Sequence, residues 1–412
     1  MNQATVEQVV DSSIRVLPGA EGWWAVSGSQ IARLPREAVP DVTSRRLTEV
    51  AMSALAEKGF PRVVEDSNYA VTVLTATACN LGCAYCFQNT ALPQEGSSAP
   101  PRIKTAVLTP ALVTQVGAFV RQQMTSSRLE TSSVLIFGGE PLLNPRGALG
   151  VLHEFGQNNM RMSEIVTNGV LLKKQLSREL EDAGLHRVQI TFDGRRDVHD
   201  TIRVTRNGRP TYDKILSNVA DAVASTDLTW NFRVNVSHRN LDGLETVIDD
   251  LQQALCGKTA SFHLALIDDV GLGYDNDVVY SAENAERFIE LNSRAIGAGM
   301  TVPVSKPLTD CPYCGVKGGA QGAVVNADGL LYSSWETAGR AEWAVGTLSD
   351  GYRPTEELDD LWVACDFDIA EHGTTEETRG FFDRVDGAAL DDMYLTEDPA
   401  SAPMHVTTQG RS

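Results

Sequence analysis

The chain has 412 residues, 42% of them hydrophobic, which is enough for a sizeable core and for two or three domains. Its 54 Asp and Glu outnumber 35 Lys and Arg, and the formal charge of −19 weighs against nucleic acid as a partner, because no run of basic residues offsets it. No stretch of about 18 apolar residues occurs, and the opening MNQATVEQVV has neither the basic start nor the apolar run of a secretory signal, so a cytoplasmic protein with no membrane partner is expected.

In chain order, residues 1–67 read as a small separate unit. Short strand patterns lie around Trp23-Trp24-Ala25-Val26 and from Ile31 to Leu34. A helix follows with Leu47, Val50, Ala51, Ala54 and Leu55 on one face, stopping at Gly59. From residue 68 to about 300, apolar strands alternate with amphipathic helices, the pattern of parallel βαβ units. The predicted strands are Ala70 to Leu74, Val134 to Phe137, Glu164 to Thr167, Val188 to Phe192, Asn231 to Val236 and Phe262 to Leu266. The first helix between them starts with Thr109 as N-cap and Pro110 at its first position, and another carries Tyr212, Ile215, Leu216 and Val219 on one stripe. Six such units predict an α/β fold with a partial (β/α)6 barrel, in which the loops after the strands carry the chemistry. Residues 91–106, rich in Pro, Ser and Gly, read as a mobile loop. Residues 301–390 have strand and turn character, with Asp328-Gly329 as a hairpin signal, and 391–412 read as a polar tail.

Three of the seven cysteines, Cys79, Cys83 and Cys86, fall within eight positions on the loop after the first barrel strand. In a reducing compartment such spacing points to metal or redox chemistry rather than disulfides. Three thiolates on one short loop suit three corners of an iron–sulfur cluster and leave the fourth iron open. A structural zinc site needs a fourth Cys or His nearby, and the flanking Asn80, Leu81, Gly82, Ala84, Tyr85, Phe87 and Gln88 offer none.

The stretch CNLGCAYCFQN, with the aromatic Tyr85 before the third cysteine, resembles the signature of the radical S-adenosylmethionine (SAM) superfamily. The resemblance extends to Phe137-Gly138-Gly139-Glu140-Pro141, Thr167-Asn168-Gly169, Thr191-Phe192-Asp193-Gly194 with His199-Asp200 and Arg203, and Arg233-Val234-Asn235. It implies a [4Fe-4S] cluster on Cys79, Cys83 and Cys86, whose open iron chelates SAM. It also implies reductive cleavage of SAM to a 5'-deoxyadenosyl radical, with a flavodoxin- or ferredoxin-type electron donor. Tyr85, Gly138, Gly139, Glu140, Asn168, Thr191, Arg203 and Asn235 are the SAM-binding positions carried over. Among them the Gly-Gly-Glu segment is implied for the SAM amino group, and Thr191 and Arg203 for its carboxylate. His199, Asp193 and Asp200 read equally as structural.

These stretches are similar to the branch that contains peptide-modifying enzymes of ribosomal peptides and anaerobic sulfatase maturases. The C-terminal segment starting at Cys311 and Cys314 looks like a degenerate SPASM or twitch domain. Ser334 stands where the pattern has another cysteine, and Cys365 sits with Leu358, Leu361 and Trp362 at helical spacing, so at most one auxiliary iron–sulfur cluster is expected there. Cys256 reads as a core residue. The branch also implies that residues 1–67 form a winged-helix-like unit that either grips the leader of a precursor peptide or packs as an extension. The expected function is hydrogen abstraction from a precursor peptide, forming a crosslink or other modification. The alternatives are a small-molecule or sulfatase-type dehydrogenase or isomerase, and a non-catalytic peptide-binding scaffold. Asp268, Asp269, Asp310 and Glu336 are the candidate acid–base groups.

Overall fold

The computed structural model describes residues 14–28, 30–39, 41, 45–61, 67–83, 85–86, 103–267, 278–304, 316–335, 337–363 and 376–394. The chain divides into two compact units, one of residues 1–66, 279–309 and 368–412, the other of 67–278 and 310–367.

The first unit begins with an antiparallel sheet of β1 (Arg15–Gly19), β2 (Gly22–Ser27) and β3 (Gln30–Leu34), in that order, followed by α1 (Glu49–Glu57). Thr48 caps α1 by accepting from the Ala51 amide. The alternation along β2 sends Trp23 and Ala25 to a cluster with Ala51 and Leu55 of α1, and Trp24 and Val26 to the opposite face. Val50, expected on the buried stripe, is 80% exposed.

The second unit holds the predicted barrel. In chain order its elements are β4 (Asn68–Ala76), α2 (Pro110–Ser127), β5 (Thr131–Gly138), α3 (Pro145–Gly156), β6 (Met160–Thr167), α4 (Lys174–Asp182), β7 (Arg187–Phe192), α5 (Arg196–Ile202), α6 (Tyr212–Val223), β8 (Thr229–Val236), α7 (Leu244–Leu255) and β9 (Ala260–Leu266). After α8 (Ala282–Gly297), which belongs to the first unit, come β10 (Gly322–Val325), β11 (Leu330–Tyr332), β12 (Gly346–Thr347) and β13 (Gly351–Tyr352). The last helix, α9 (Glu376–Tyr394), also belongs to the first unit.

Strands β4 to β9 are parallel neighbours in sequence order, the α/β arrangement of a radical SAM partial barrel; β10 adds parallel to β4, and β11 to β13 continue antiparallel. All six predicted strands are present, each longer than its apolar run. Thr109 caps α2 with Pro110 at its first position, and Gly329, at φ +86°, makes the Asp328-Gly329 turn between β10 and β11.

Several expectations change. The unit boundaries follow packing rather than sequence order: α8, read as part of the barrel region, and α9, read partly as C-terminal extension and partly as tail, join β1 to β3. Leu390 of α9 is buried with Leu17, Trp24, Val26 and Ile31, and Arg15 reaches Asp383 at 2.7 Å and Asp386 at 2.5 Å. The polar tail therefore starts no earlier than residue 395, and residues 395–412 lie outside the described residues. Of the segment read as a mobile loop, residues 103–106 are tied to the barrel: Thr77 accepts from the Ala106 amide at 2.7 Å and donates to the Lys104 carbonyl at 2.8 Å. Cys256 is exposed, not core. It caps α7 in the left-handed region at φ +48°, which turns it out of the helix's apolar stripe.

The Arg15–Asp383–Asp386 cluster is nearly closed to solvent, with Arg45 also on Asp383. Removing one partner of a buried pair leaves the others uncompensated. Arg15→Ala is expected to lower the stability of this unit by roughly 3 kcal/mol, seen as a lower urea midpoint in the fluorescence of Trp23 and Trp24. Arg15→Lys should recover part of the loss, because it keeps the charge but not the two-pronged geometry.

Candidate active site

Because β4 to β9 run parallel, their C-terminal ends share one edge of the sheet, and the residues singled out in the sequence converge there. The cysteine loop leaves β4, Gly138 and Gly139 end β5, Thr167 and Asn168 end β6, Thr191 lies near the end of β7, and Asn235 lies in β8.

Gly138 has φ +132°, and a Cβ on it would overlap the Ala76 carbonyl oxygen, while one on Gly139 would lie 2.5 Å from that of Ala78. The two glycines therefore let the end of β5 close onto the start of the cysteine loop, where the Gly139 and Glu140 amides donate to the carbonyls of Ala76 and Ala78 at 3.0 and 2.9 Å. Glu140 is fully buried, and its carboxylate accepts from Thr167 Oγ1 at 2.7 Å, the Asn168 amide at 2.8 Å and the Leu142 amide at 3.0 Å. Its side chain thus fastens the end of β6 to the turn after β5.

The centre of the site is the hydroxyl of Tyr85. It donates to Asp193 Oδ2 at 2.6 Å and accepts from Arg203 Nη1 at 2.7 Å and Asn235 Nδ2 at 3.0 Å. Arg203 lies 3.5 Å from Asp193, whose side chain is fully buried. Burial pushes the Asp193 carboxyl upward, against the pull of the Arg203 charge and the Tyr85 hydrogen bond. Sequence reading left Asp193 as structural as much as functional; here it is the carboxylate of the site's central pair.

The cysteine loop is held from a second side by the segment after Arg203. Arg206 donates through Nε to the Cys79 carbonyl at 2.8 Å and through its amide to the Asn80 carbonyl at 3.1 Å, and the Gly82 amide donates to the Val204 carbonyl. No sequence signal singled out Arg206, since backbone carbonyls are what it holds. Asp200 accepts from the amides of Thr211 and Tyr212 at the start of α6, and buried His199 bridges the Asp193 amide and Thr211 Oγ1. Both act as braces.

The residues fit a cluster and SAM on two counts. Cys79 Sγ accepts from the Leu81 amide at 3.4 Å and faces Asn168 Nδ2 at 3.8 Å, donors of the kind that surround ligating sulfur. Finally, buried Asp193 Oδ1 and Arg203 Nε have no hydrogen-bond partner. Orphaned polar atoms of that kind are costly unless a ligand completes them. Burial pushes the Cys79 thiol up to about 11 and the Cys83 thiol up to about 12. The metal-free loop therefore carries these two as thiols, and ligation must displace their protons. Cys311, Cys314, Cys365, Asp268, Asp269, Asp310 and Glu336 lie outside the described residues.

Fold and site together define a barrel enzyme class that binds an iron–sulfur cluster and SAM at the C-terminal ends of its strands. Residues 73–251 match the Radical SAM superfamily, and this segment is a domain of that superfamily. The chain is 31% identical over 145 residues to the GTP 3',8-cyclase of Peptoclostridium acidaminophilum, covering 35% of this chain and 39% of that protein. It is 25% identical over 212 residues to the AdoMet-dependent heme synthase of Methanosarcina barkeri, covering 51% and 53%. The chain thus spans about half or less of the length of these curated relatives. A solved structure described as native anSMEcpe with bound AdoMet and Kp18Cys peptide shares the fold, with a TM-score of 0.51, 14% identity and coverage of 76% of this chain and 82% of that one. The cofactors of the superfamily, a [4Fe-4S] cluster and SAM, are therefore those of this chain.

His199 provides a pH test of the site's bracing. Burial first, then the Arg203 charge, hold its imidazole down to about 3 from 6.5. The unfolded chain takes up this proton below about pH 6.5 and the folded chain does not, so stability is full above that pH and falls as pH drops toward about 3. The expected slope from this group is about 1.4 kcal/mol per pH unit. Urea melts between pH 7 and 5 should show it, and His199→Gln, though less stable at pH 7, should remove that part of the slope.

Proposed function

We propose that this chain modifies a precursor peptide by radical chemistry, taking a hydrogen atom from a side chain or α-carbon to yield a crosslink or another altered residue. When bound at the Cys79, Cys83 and Cys86 loop, the cluster and SAM supply a 5'-deoxyadenosyl radical on reductive cleavage, the electron coming from a flavodoxin- or ferredoxin-type donor. The chain's own residues orient and enclose. Arg203 and Thr191 suit the SAM carboxylate, for which a planar two-pronged cation is apt. Asn235 and Asn168 offer amides to the same ligand. Glu140 keeps the strand ends closed together, and the apolar helix-side packing of β5 to β9 excludes water from behind the site.

The observation that carries the SAM reading is the constellation of Tyr85 and Asn235 with the buried Arg203 and Asp193, which leaves two orphaned atoms. The peptide reading is supported by the likeness in fold to the anSMEcpe structure with AdoMet and a peptide. It is supported also by the edge strands β1 and β3, to which a leader peptide could add as a further strand. A small-molecule substrate is the second reading, favoured by the match to a GTP 3',8-cyclase.

Anaerobically reconstituted protein, dithionite and SAM should yield 5'-deoxyadenosine and change the mass or retention of the short peptide encoded beside its gene. SAM cleavage with no change in any neighbouring peptide would sink the peptide reading. Replacing Cys79, Cys83 and Cys86 together by Ala should abolish SAM cleavage. Iron retained by that variant would assign an auxiliary cluster to Cys311 and Cys314; an iron-free variant would confine the metal to the trio.

A further inference from the structure

Arg203 and Arg206 lie three positions apart, and each reaches a different part of the cofactor site. At the buried end of the segment Arg203 meets Tyr85 and Asp193. Its backbone is fixed there, the amide donating to the His199 carbonyl at 2.7 Å and the carbonyl accepting from Thr211 Oγ1 at 2.5 Å. At the exposed end the chain turns back between Thr205 and Arg209. Thr205 Oγ1 accepts from the Arg209 amide at 2.8 Å, the Gly208 amide donates to the Thr205 carbonyl at 2.8 Å, and Gly208 takes φ +75°.

Between these ends, residues 204–206 pair with the cysteine loop as a short antiparallel bridge centred on Leu81 and Thr205. The Gly82 amide donates to the Val204 carbonyl and the Arg206 amide to the Asn80 carbonyl, both at 3.1 Å. Arg206 Nε adds the Cys79 carbonyl at 2.8 Å. The start of the loop, Cys79 to Gly82, is thus gripped by residues 204–206, and Tyr85 near its end is gripped by Arg203. One run of four residues holds both. Hydrogen bonds along so short a run have fixed spacing, so a shift at one end loosens the other.

We infer that residues 203–206 form a strap that couples the two cofactor pockets, so that SAM on Arg203 and the cluster on the cysteine loop each tighten the other, with Arg206 as the positioning residue at the cluster end. The inference rests on the assignment of the SAM carboxylate to Arg203. A ligand that binds only the closed strap has its apparent affinity lowered in proportion to the fraction that is closed. Coupling between two sites is reciprocal. Weakening the strap at Arg206 therefore costs SAM affinity as well as cluster retention, although the bonds removed are to the cysteine loop.

SAM on the open iron protects the cluster by itself, so iron loss is read without SAM and SAM affinity is read separately. The full chain reconstituted with its cluster is compared with Arg206→Ala at equal iron content. Iron release to the chelator ferrozine should be about tenfold faster in the variant, and the Kd for SAM by equilibrium dialysis about tenfold higher, the effect of losing one charged hydrogen bond. Arg206→Lys, which keeps a cationic donor, should recover part of both. Gly208→Ala strains the turn at a φ that favours glycine, without altering a residue that bonds to the cysteine loop, and should move both readings in the same direction. In the metal-free chain the Gly82 amide should exchange with deuterium faster in each of Arg206→Ala and Gly208→Ala than in the wild type. Faster iron loss with unchanged SAM affinity, or a Gly82 amide that exchanges no faster in either variant, overturns the coupling. SAM affinity unchanged by Arg203→Lys, which keeps the charge but not the fork, removes the carboxylate assignment on which the inference rests. SAM affinity lowered by Arg203→Lys but not by Arg206→Ala removes the coupling alone.

Discussion

The site depends on a phenol hydroxyl that has three partners. Tyr85 lies between the second and third cysteines, and by binding Asp193, Arg203 and Asn235 it ties the cysteine loop to the ends of β7 and α5 and to β8. A carboxylate as deeply buried as Asp193 is untenable alone, and a guanidinium is what makes it tolerable. The pair is not complete by itself, since one carboxylate oxygen and one guanidinium nitrogen lack hydrogen bonds. Each such orphan costs on the order of 1–3 kcal/mol in a buried setting. A site that keeps them is organised for a ligand rather than for the stability of the empty chain.

Around that centre the chain uses close backbone approach more than side-chain bulk. Gly138 and Gly139 bring the end of β5 against Ala76 and Ala78, where no side chain fits. Glu140 then gathers the amides and hydroxyl of its neighbours, and Arg206 holds the first two residues of the cysteine loop by their carbonyls. The loop is thus braced from β5, from β6 and from the turn after α5, so its three sulfurs are presented from a fixed backbone.

The charge distribution separates surface from site. Among the described residues, Arg203 and Arg233 lie near the strand ends around the site, while Arg187 opens β7 at the opposite end of the strand. Arg187 lies 3.7 Å from Glu164 and Arg203 lies 3.5 Å from Asp193, so each of these cations has a buried carboxylate close by. In the other unit the same rule operates: Asp383 and Asp386 are buried only because Arg15 and Arg45 reach them.

By itself the sequence determined the strand order, the barrel class and the cysteine loop. Strand periodicity, the Thr109-Pro110 helix start and the CxxxCxxC spacing are local signals, written within a few residues of one another. It also singled out Tyr85, Glu140, Thr191, Arg203 and Asn235, through motifs whose order along the chain is the order of the strands. Only the tertiary structure decided what these residues do to one another. That Tyr85 is the hub, that Asp193 is its buried carboxylate and that Arg206 clamps the loop depend on contacts across 108 to 150 positions or on backbone carbonyls, which no local pattern encodes. The joining of α9 to β1 through Leu390 and Arg15 is of the same kind: a buried leucine or a paired arginine looks alike in sequence wherever its partner lies.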